Sequence, residues 1–563
     1  MSFPRTSALA LLLALLGPAD LLPAQPANSV SPLAEGQKLL KEGHLKEAAD
    51  AFRKVTLSQP KNGQAWMLLG YALHAQGKFE EALPCHRKAA TLPGPVAGTA
   101  GYNAACALAR LDRKDLAFQA LSAAIRTGNV DVRSIAKDED LASLHSDVRF
   151  KTVSPSKEDF EQPFVEKARI LQVWNGEAPG GQFGWIARNI GDVDGDGVSD
   201  VTTSAPSLAT TAGASAGAVY VYSSRSGKLI WRAVGQPGDQ LGLGIEAAGD
   251  VNADGVPDVI AGSPGAAKAE VFSGKDGTVI QTFRGKPGAL FGRRVSDVGD
   301  VDGDGHADVL IGSPQAATSA GAAAGRVGLY SGKTGEALVE LEGVRAGDQF
   351  GSSCAGIVHE GQAWLVLGAP GAGTSPGGRT YVYDGKGKQR FVIEADATGS
   401  QLGGMFVSVL GDVDEDGVPD VYASDWANNA NGPTSGRIYV HSGKDGRRLL
   451  TLTGETAGEG FGIGPADAGD VDGDGLADLV VGAWQHSTAA PSGGKVTVFS
   501  GKDGTVLETF TCRVPGETFG FDATGIGDVD GDGAIDYLLT SAWSSISGVQ
   551  TGRMFILAGG GGR

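Results

Sequence analysis

A Phe-Gly or Leu-Gly dipeptide recurs seven times in the C-terminal part of this chain, at Phe183, Leu241, Phe291, Phe350, Leu402, Phe461 and Phe519. The intervals lie between 50 and 59 residues, a period that points to stacked repeats rather than one folded core. Order within a unit is fixed. An apolar stretch leads into an Asp-rich loop and then a second apolar run such as Asp308–Ile311. A small-residue turn follows (Gly312-Ser313-Pro314, Gly368-Ala369-Pro370 or Ser541-Ala542-Trp543), then an alternating stretch such as Ala218–Tyr222 or Arg437–His441. A Gly-containing turn (Ser273–Gly277, Ser442–Gly446, Ser500–Gly504) leads into a fourth stretch, as in Thr278–Phe283, which is a hairpin signature. Four short antiparallel strands repeated seven times describe a mainly β chain built as a seven-bladed β-propeller.

The ends of the array support a closed ring. Ala168–Trp174 reads as a fourth strand with no unit before it, and Arg553–Ala558 as a third strand with no successor. Pairing the two would complete the last blade and remove both exposed sheet edges.

Six of the seven units carry the nine-residue pattern D-x-[DN]-x-D-G-x-x-D. The first holds Asp192, Asp194, Asp196 and Asp200, with the Val198 carbonyl as a fifth oxygen donor. Its counterparts are Asp250, Asn252, Asp254, Val256 and Asp258; Asp300, Asp302, Asp304, His306 and Asp308; and Asp412, Asp414, Asp416, Val418 and Asp420. Two more follow, Asp470, Asp472, Asp474, Leu476 and Asp478, then Asp528, Asp530, Asp532, Ala534 and Asp536. A Gly at the sixth place, Gly197 in the first copy, permits a turn that a Cβ would obstruct. Several carboxylates in one short loop repel each other unless a cation neutralises them. Five oxygen-donating groups, completed by bidentate binding and water, suit calcium, whereas magnesium demands strict octahedral geometry. Six calcium sites are expected. None is expected in the fourth unit, where Val358-His359-Glu360-Gly361-Gln362 forms a shorter turn. Asn252 lowers the charge of the second site.

The loop context separates calcium modules. A helix–loop–helix site needs a Glu at place twelve, which here is Thr203, Ala261, Ile311, Ala423, Val481 or Leu539. Apolar strand runs follow instead of helices. Taken together, the dipeptides, acidic loops and Gly-Ser/Ala-Pro turns resemble the phenylalanyl-glycyl/glycyl-alanyl-prolyl (FG-GAP) repeats of integrin α-subunit propellers, over about residues 167–559. The resemblance implies that each calcium lies in the hairpin loop between the first two strands of its blade, and that the propeller binds protein ligands.

The formal charge of −18 opposes a nucleic-acid partner. Much of it belongs to the loops: 23 of the 65 acidic residues are ligand carboxylates, so six divalent ions would bring the net to about −6. On the face opposite the acidic loops, three consecutive units end their small-residue turn in Trp426, Trp484 and Trp543. These form either a ligand platform or wedges packed between blades.

The N-terminal part has a different period. Residues 30–95 repeat at 34, pairing Gly36 with Gly70, Gly43 with Gly77 and Ala48 with Ala82. Phe52, Trp66, Leu39, Leu69 and Leu73 supply apolar faces at helical spacing. The pattern resembles the tetratricopeptide repeat, with a third, less regular unit over residues 97–128 and a capping helix expected over Asp138–Phe150. Boundaries follow as 1–25 for a secretory signal, 30–150 for the helical repeats, 151–166 for a linker and 167–559 for the propeller. The signal is read from Arg5, the apolar run Ala8–Leu16 and the small residues of Pro23–Ala27. No later apolar stretch is long enough to span a bilayer. Cys85 and Cys106 lie in neighbouring expected helices, where they either pair or remain buried thiols.

The sequence thus reads as a secreted or periplasmic calcium-binding module that binds a protein, matrix or envelope component. Two alternatives stand beside it: a non-catalytic envelope scaffold docked through its helical repeats, and a propeller-appended hydrolase or quinoprotein. The eight histidines are dispersed, and no nucleophile elbow or phosphate loop is present. No catalytic residue or organic cofactor is assigned.

Overall fold

A computed structural model describes residues 31–373, 377–464 and 467–560; the expected signal segment lies outside them. The chain divides into two compact units, one ending at Phe160 and the other beginning at Glu161.

The first unit is built from helices Pro32–Lys41, Leu45–Ser58, Gly63–Ala75, Phe79–Ala90, Ala97–Arg110 and Lys114–Ile125. Small residues sit where helices cross. A Cβ on Gly36 would lie 2.6 Å from the Phe52 ring, and one on Gly70 would lie 2.6 Å from His86. Gly43 and Gly77 turn the chain in left-handed backbone at φ 83° and 76°, where glycine carries no Cβ penalty. The third unit uses Asp112 at φ 54° for the same turn, which is why its period looks irregular. Cys85 and Cys106 are separate buried thiols.

The expected capping helix over Asp138–Phe150 is not continuous. Two 3-10 turns, Val132–Lys137 and Glu139–Leu144, meet at Asp138 in extended backbone (ψ 112°). Its side chain accepts the Asp140 N–H at 3.0 Å, so a cap breaks the helix where hydrophobic spacing alone suggests one.

The second unit is a ring of seven antiparallel sheets, six of them four-stranded and the sixth blade with its innermost strand split into Phe461–Ile463 and Asp467–Gly469. Ring closure follows the expected route. Ile170–Asn175 pairs with Arg553–Leu557, giving the last blade three strands from the C-terminus and one from the start of the unit. The apolar cores lie between blades: Ile190, Val221 and Trp231 of the first pack on Ile245, Val259 and Phe272 of the second. The last blade packs on the first in the same way, through Leu538, Met554 and Ile556 against Phe183, Val201 and Tyr220.

The Phe-Gly dipeptides earn their recurrence here. All seven Phe or Leu side chains are buried. Five of them, Leu241, Phe350, Leu402, Phe461 and Phe519, form a parallel bridge to a Gly of the preceding blade, and Phe183 does so to Gly552. At Gly217 (φ 77°) a Cβ would come within 2.3 Å of the Leu241 carbonyl oxygen, so the junction admits only glycine. Residues 151–166, expected as a linker, also contribute structure. Lys157–Glu161 is a helical turn, and Phe164 pairs with Cys512 while its ring lies 4.8 Å from Phe519.

Candidate metal loops and the opposite face

Each acidic loop joins the innermost strand of its blade to the second, for example Ala187–Gly191 to Asp200–Ser204. Six copies share one hydrogen-bond scheme. The first Asp accepts the N–H of the sixth-place Gly: Gly197 to Asp192 at 2.8 Å, Gly255 to Asp250 at 2.9 Å, Gly305 to Asp300 at 2.8 Å, Gly417 to Asp412 at 2.8 Å, Gly475 to Asp470 at 3.0 Å and Gly533 to Asp528 at 2.8 Å. The fifth-place Asp accepts the N–H of the seventh residue, at 2.9 Å for Asp196 with Val198. The same bond recurs at Val256, His306, Val418, Leu476 and Ala534.

The ninth-place Asp has a role that the sequence pattern does not reveal. Asp200, Asp258, Asp308, Asp420, Asp478 and Asp536 are all fully buried. One oxygen of each accepts the N–H of the second loop residue, as for Val413 to Asp420 at 2.8 Å, with equivalents in the other five. The other oxygen accepts an N–H beyond the third strand, as for Gly443 to Asp420 at 3.0 Å. This carboxylate staples the acidic loop to the neighbouring hairpin. Its burial carries a charge penalty: Asp200, Asp258 and Asp536 are pushed up to about 6 and Asp420 to about 7, chiefly by desolvation. Asp308 and Asp478 are raised for the same reason.

The loop carboxylates, the ninth among them, converge. Oxygens of Asp192, Asp194 and Asp200 lie within 4.8 Å of one another, as do those of Asp300, Asp302 and Asp304, and of Asp412, Asp414 and Asp420. A buried oxygen of Asp414, Oδ1, has no hydrogen-bond partner among the described residues. Such all-oxygen clusters, backed by amide donors, fit a hard divalent cation. Exposed basic side chains lean over five loops: Arg225 on Asp196, Lys333 on Asp304, Arg447 on Asp414, Lys502 on Asp474, and Arg169 on Asp530 and Asp532. In the second loop the Asn252 amide donates to Asp254 at 3.1 Å.

Two further details were not legible from residue type. The fourth place of every loop is left-handed, so Ala253 (φ 57°) and Glu415 (φ 61°) hold a conformation that the other four loops give to Gly. His306 ties adjacent loops together, its Nδ1 lying 2.7 Å from the Val251 carbonyl oxygen.

On the opposite face Trp484 is 8% exposed and meets Trp543 edge-on at 4.8 Å. Phe521 joins them, 5.6 Å from Trp484 and 4.9 Å from Trp185. Trp543 is half-buried, and Trp426 is half-buried outside this cluster. The tryptophans therefore pack partly as wedges and present only part of their rings.

Comparison with known proteins agrees with this architecture. The tetratricopeptide repeat family matches residues 33–94. The FG-GAP repeat family matches residues 183–222, 294–330 and 466–499, and an FG-GAP-like repeat matches 250–311. Similar proteins include integrin alpha-6 of Gallus gallus, 32% identical over 101 residues covering 17% of this chain and 9% of the relative. Integrin alpha-4 of Xenopus laevis is 29% identical over 175 residues, covering 28% and 17%. Integrin alpha-2 of Mus musculus is 30% identical over 205 residues, covering 33% and 17%. The chain spans less than a fifth of the length of these integrins. It carries FG-GAP repeats in an integrin α-like propeller, preceded by a tetratricopeptide-like helical module.

Proposed function

We propose that this protein is an exported, non-catalytic binding module whose six acidic loops hold structural calcium and whose opposite face engages a protein ligand. The observation that carries the metal half is the repetition: one donor arrangement recurs in six loops, with carboxylate oxygens brought within 4.8 Å in clusters such as Asp300, Asp302 and Asp304. Calcium supplies positive charge to these clusters. The chain's own residues do the rest: amides orient the first and fifth carboxylates, and the ninth fastens loop to hairpin. Extracellular calcium modules bind at roughly 10⁻⁴–10⁻³ M. At about 1 mM calcium, six independent sites would then contribute roughly 2–8 kcal/mol.

The likeness to integrins supports protein binding as the role, and among the described residues no helix is long and apolar enough to cross a membrane. The ligand face would be the one bearing Trp426 and Trp543. Affinity capture from the native extracellular milieu tests both halves. Partner recovery should fall when chelator is present, and should fall again in a Trp426→Ala/Trp543→Ala variant whose melting temperature is unchanged. Recovery that is indifferent to both treatments would refute the assignment. Capture by residues 31–160 alone, with none by the propeller, would favour the scaffold reading, to which the tetratricopeptide match lends support.

A further inference from the structure

Along the propeller axis the innermost strands enclose a cavity of about 290 Å³, at the lower edge of the ~300–1,000 Å³ of small-molecule sites. Its wall is mixed: Ile245, Val295, Ile357 and Phe406 stand beside polar and charged residues that include Glu246, Asp297 and Asp467. Two arginines face it and they are not equivalent. Arg188 is paired: its Nε donates to Glu246 at 2.7 Å, and its Nη1 donates to Asp522 and to the Ala187 carbonyl.

Arg294 is different. It is 8% exposed, and its Nε has no hydrogen-bond partner among the described residues. Its Cζ lies over the Phe406 ring, 5.2 Å from the centroid. Burial, with Arg293 and Arg188 nearby, pulls it down to about 10, so it remains charged at neutral pH. The position is singular in sequence too. After the repeated dipeptide the other blades place Trp185-Ile186, Leu243-Gly244, Ser352-Ser353, Gly404-Met405, Ile463-Gly464 and Phe521-Asp522; only the third has two arginines.

A buried cation without an acceptor is costly, and a ligand that supplies one recovers that cost. We propose that the axial cavity binds a small organic monocarboxylate, gripped by the guanidinium of Arg294 beside Phe406. A carboxylate matches the guanidinium fork, and Ile245, Val295, Ile357 and Phe406 offer a small carbon body apolar contact. A phosphate dianion fits poorly, because Glu246 and Asp522 flank Arg188 and Asp297 also faces the cavity.

Calorimetric titration of the full chain in calcium-containing buffer, with benzoate, benzyl alcohol and inorganic phosphate as probes, tests this. Benzoate should bind saturably, and benzyl alcohol about tenfold more weakly or worse. Arg294→Met should weaken benzoate about tenfold or more while leaving benzyl alcohol unchanged. Absence of saturable benzoate binding, equal affinity in wild type and Arg294→Met, or tighter binding of phosphate would each overturn the proposal. Should Arg294→Met fail to fold, Arg294→Lys retains the charge without the fork. It should still weaken benzoate, and undiminished affinity there counts against the site.

Discussion

Seven blades face the same problem between their first and second strands, and the fourth solves it differently from the other six. There the ladder runs down to His359 opposite Gln362, and Glu360 and Gly361 turn the chain in two left-handed residues, φ 48° and 72°. That is the turn which the right-handed twist of paired strands prefers, and backbone geometry alone closes it. In the other six, the ladder stops short and a nine-residue loop is held by side-chain carboxylates accepting backbone N–H groups. The charge assembled to build that scaffold is what a bound cation would neutralise. The fourth blade is thus an internal control, in which backbone geometry closes the turn without an acidic loop.

The largest test of the contrast is removal of calcium. In metal-stripped buffer with chelator, calorimetry should show the propeller losing roughly 2–8 kcal/mol relative to 1 mM calcium. An unchanged melting temperature would place all seven turns in one class. Next, the buried staple should be separable from the outer ligands. Asp420→Ala strands the N–H groups of Val413 and Gly443 inside the protein and should cost about 2–5 kcal/mol. That loss should persist in chelator. Asp302→Asn, by contrast, should cost only about 0.4–1.4 kcal/mol, and only when calcium is present. Equal, calcium-dependent losses in the two variants would remove the distinction. The smallest effect concerns strain: Ala253→Gly and Glu415→Gly should each raise stability by about 0.5–1 kcal/mol, with or without calcium, because both positions are left-handed.

What was legible in the sequence was whatever repeats. The blade count, the ring closure through Ile170–Asn175 and Arg553–Leu557, and the place of the helical repeats all follow from periodic signals. The staple was hidden because the ninth Asp has the same residue type as the first, third and fifth, and only burial separates them. Phe164 was hidden for another reason. Its partner Cys512 lies far along the chain and no period marks the contact. The break at Asp138 escaped because a local side-chain cap outweighs hydrophobic spacing. The Arg188 network with Glu246 and Asp522 joins the first, second and seventh blades across the axis, which no single repeat can show.

The shared last blade also dictates an order of events in time. Its outermost strand is made first and its inner three last, so Ile170–Asn175 must wait for Arg553–Leu557 to leave the ribosome before it finds a neighbour. During that interval both ends of the growing array expose raw strand edges, the kind of surface that recruits wrong partners. The same latch means that trimming a few residues from the end of the seventh blade unseats a strand from the opposite end of the propeller. The ring behaves as one cooperative object in which the first and last segments are kinetically inseparable.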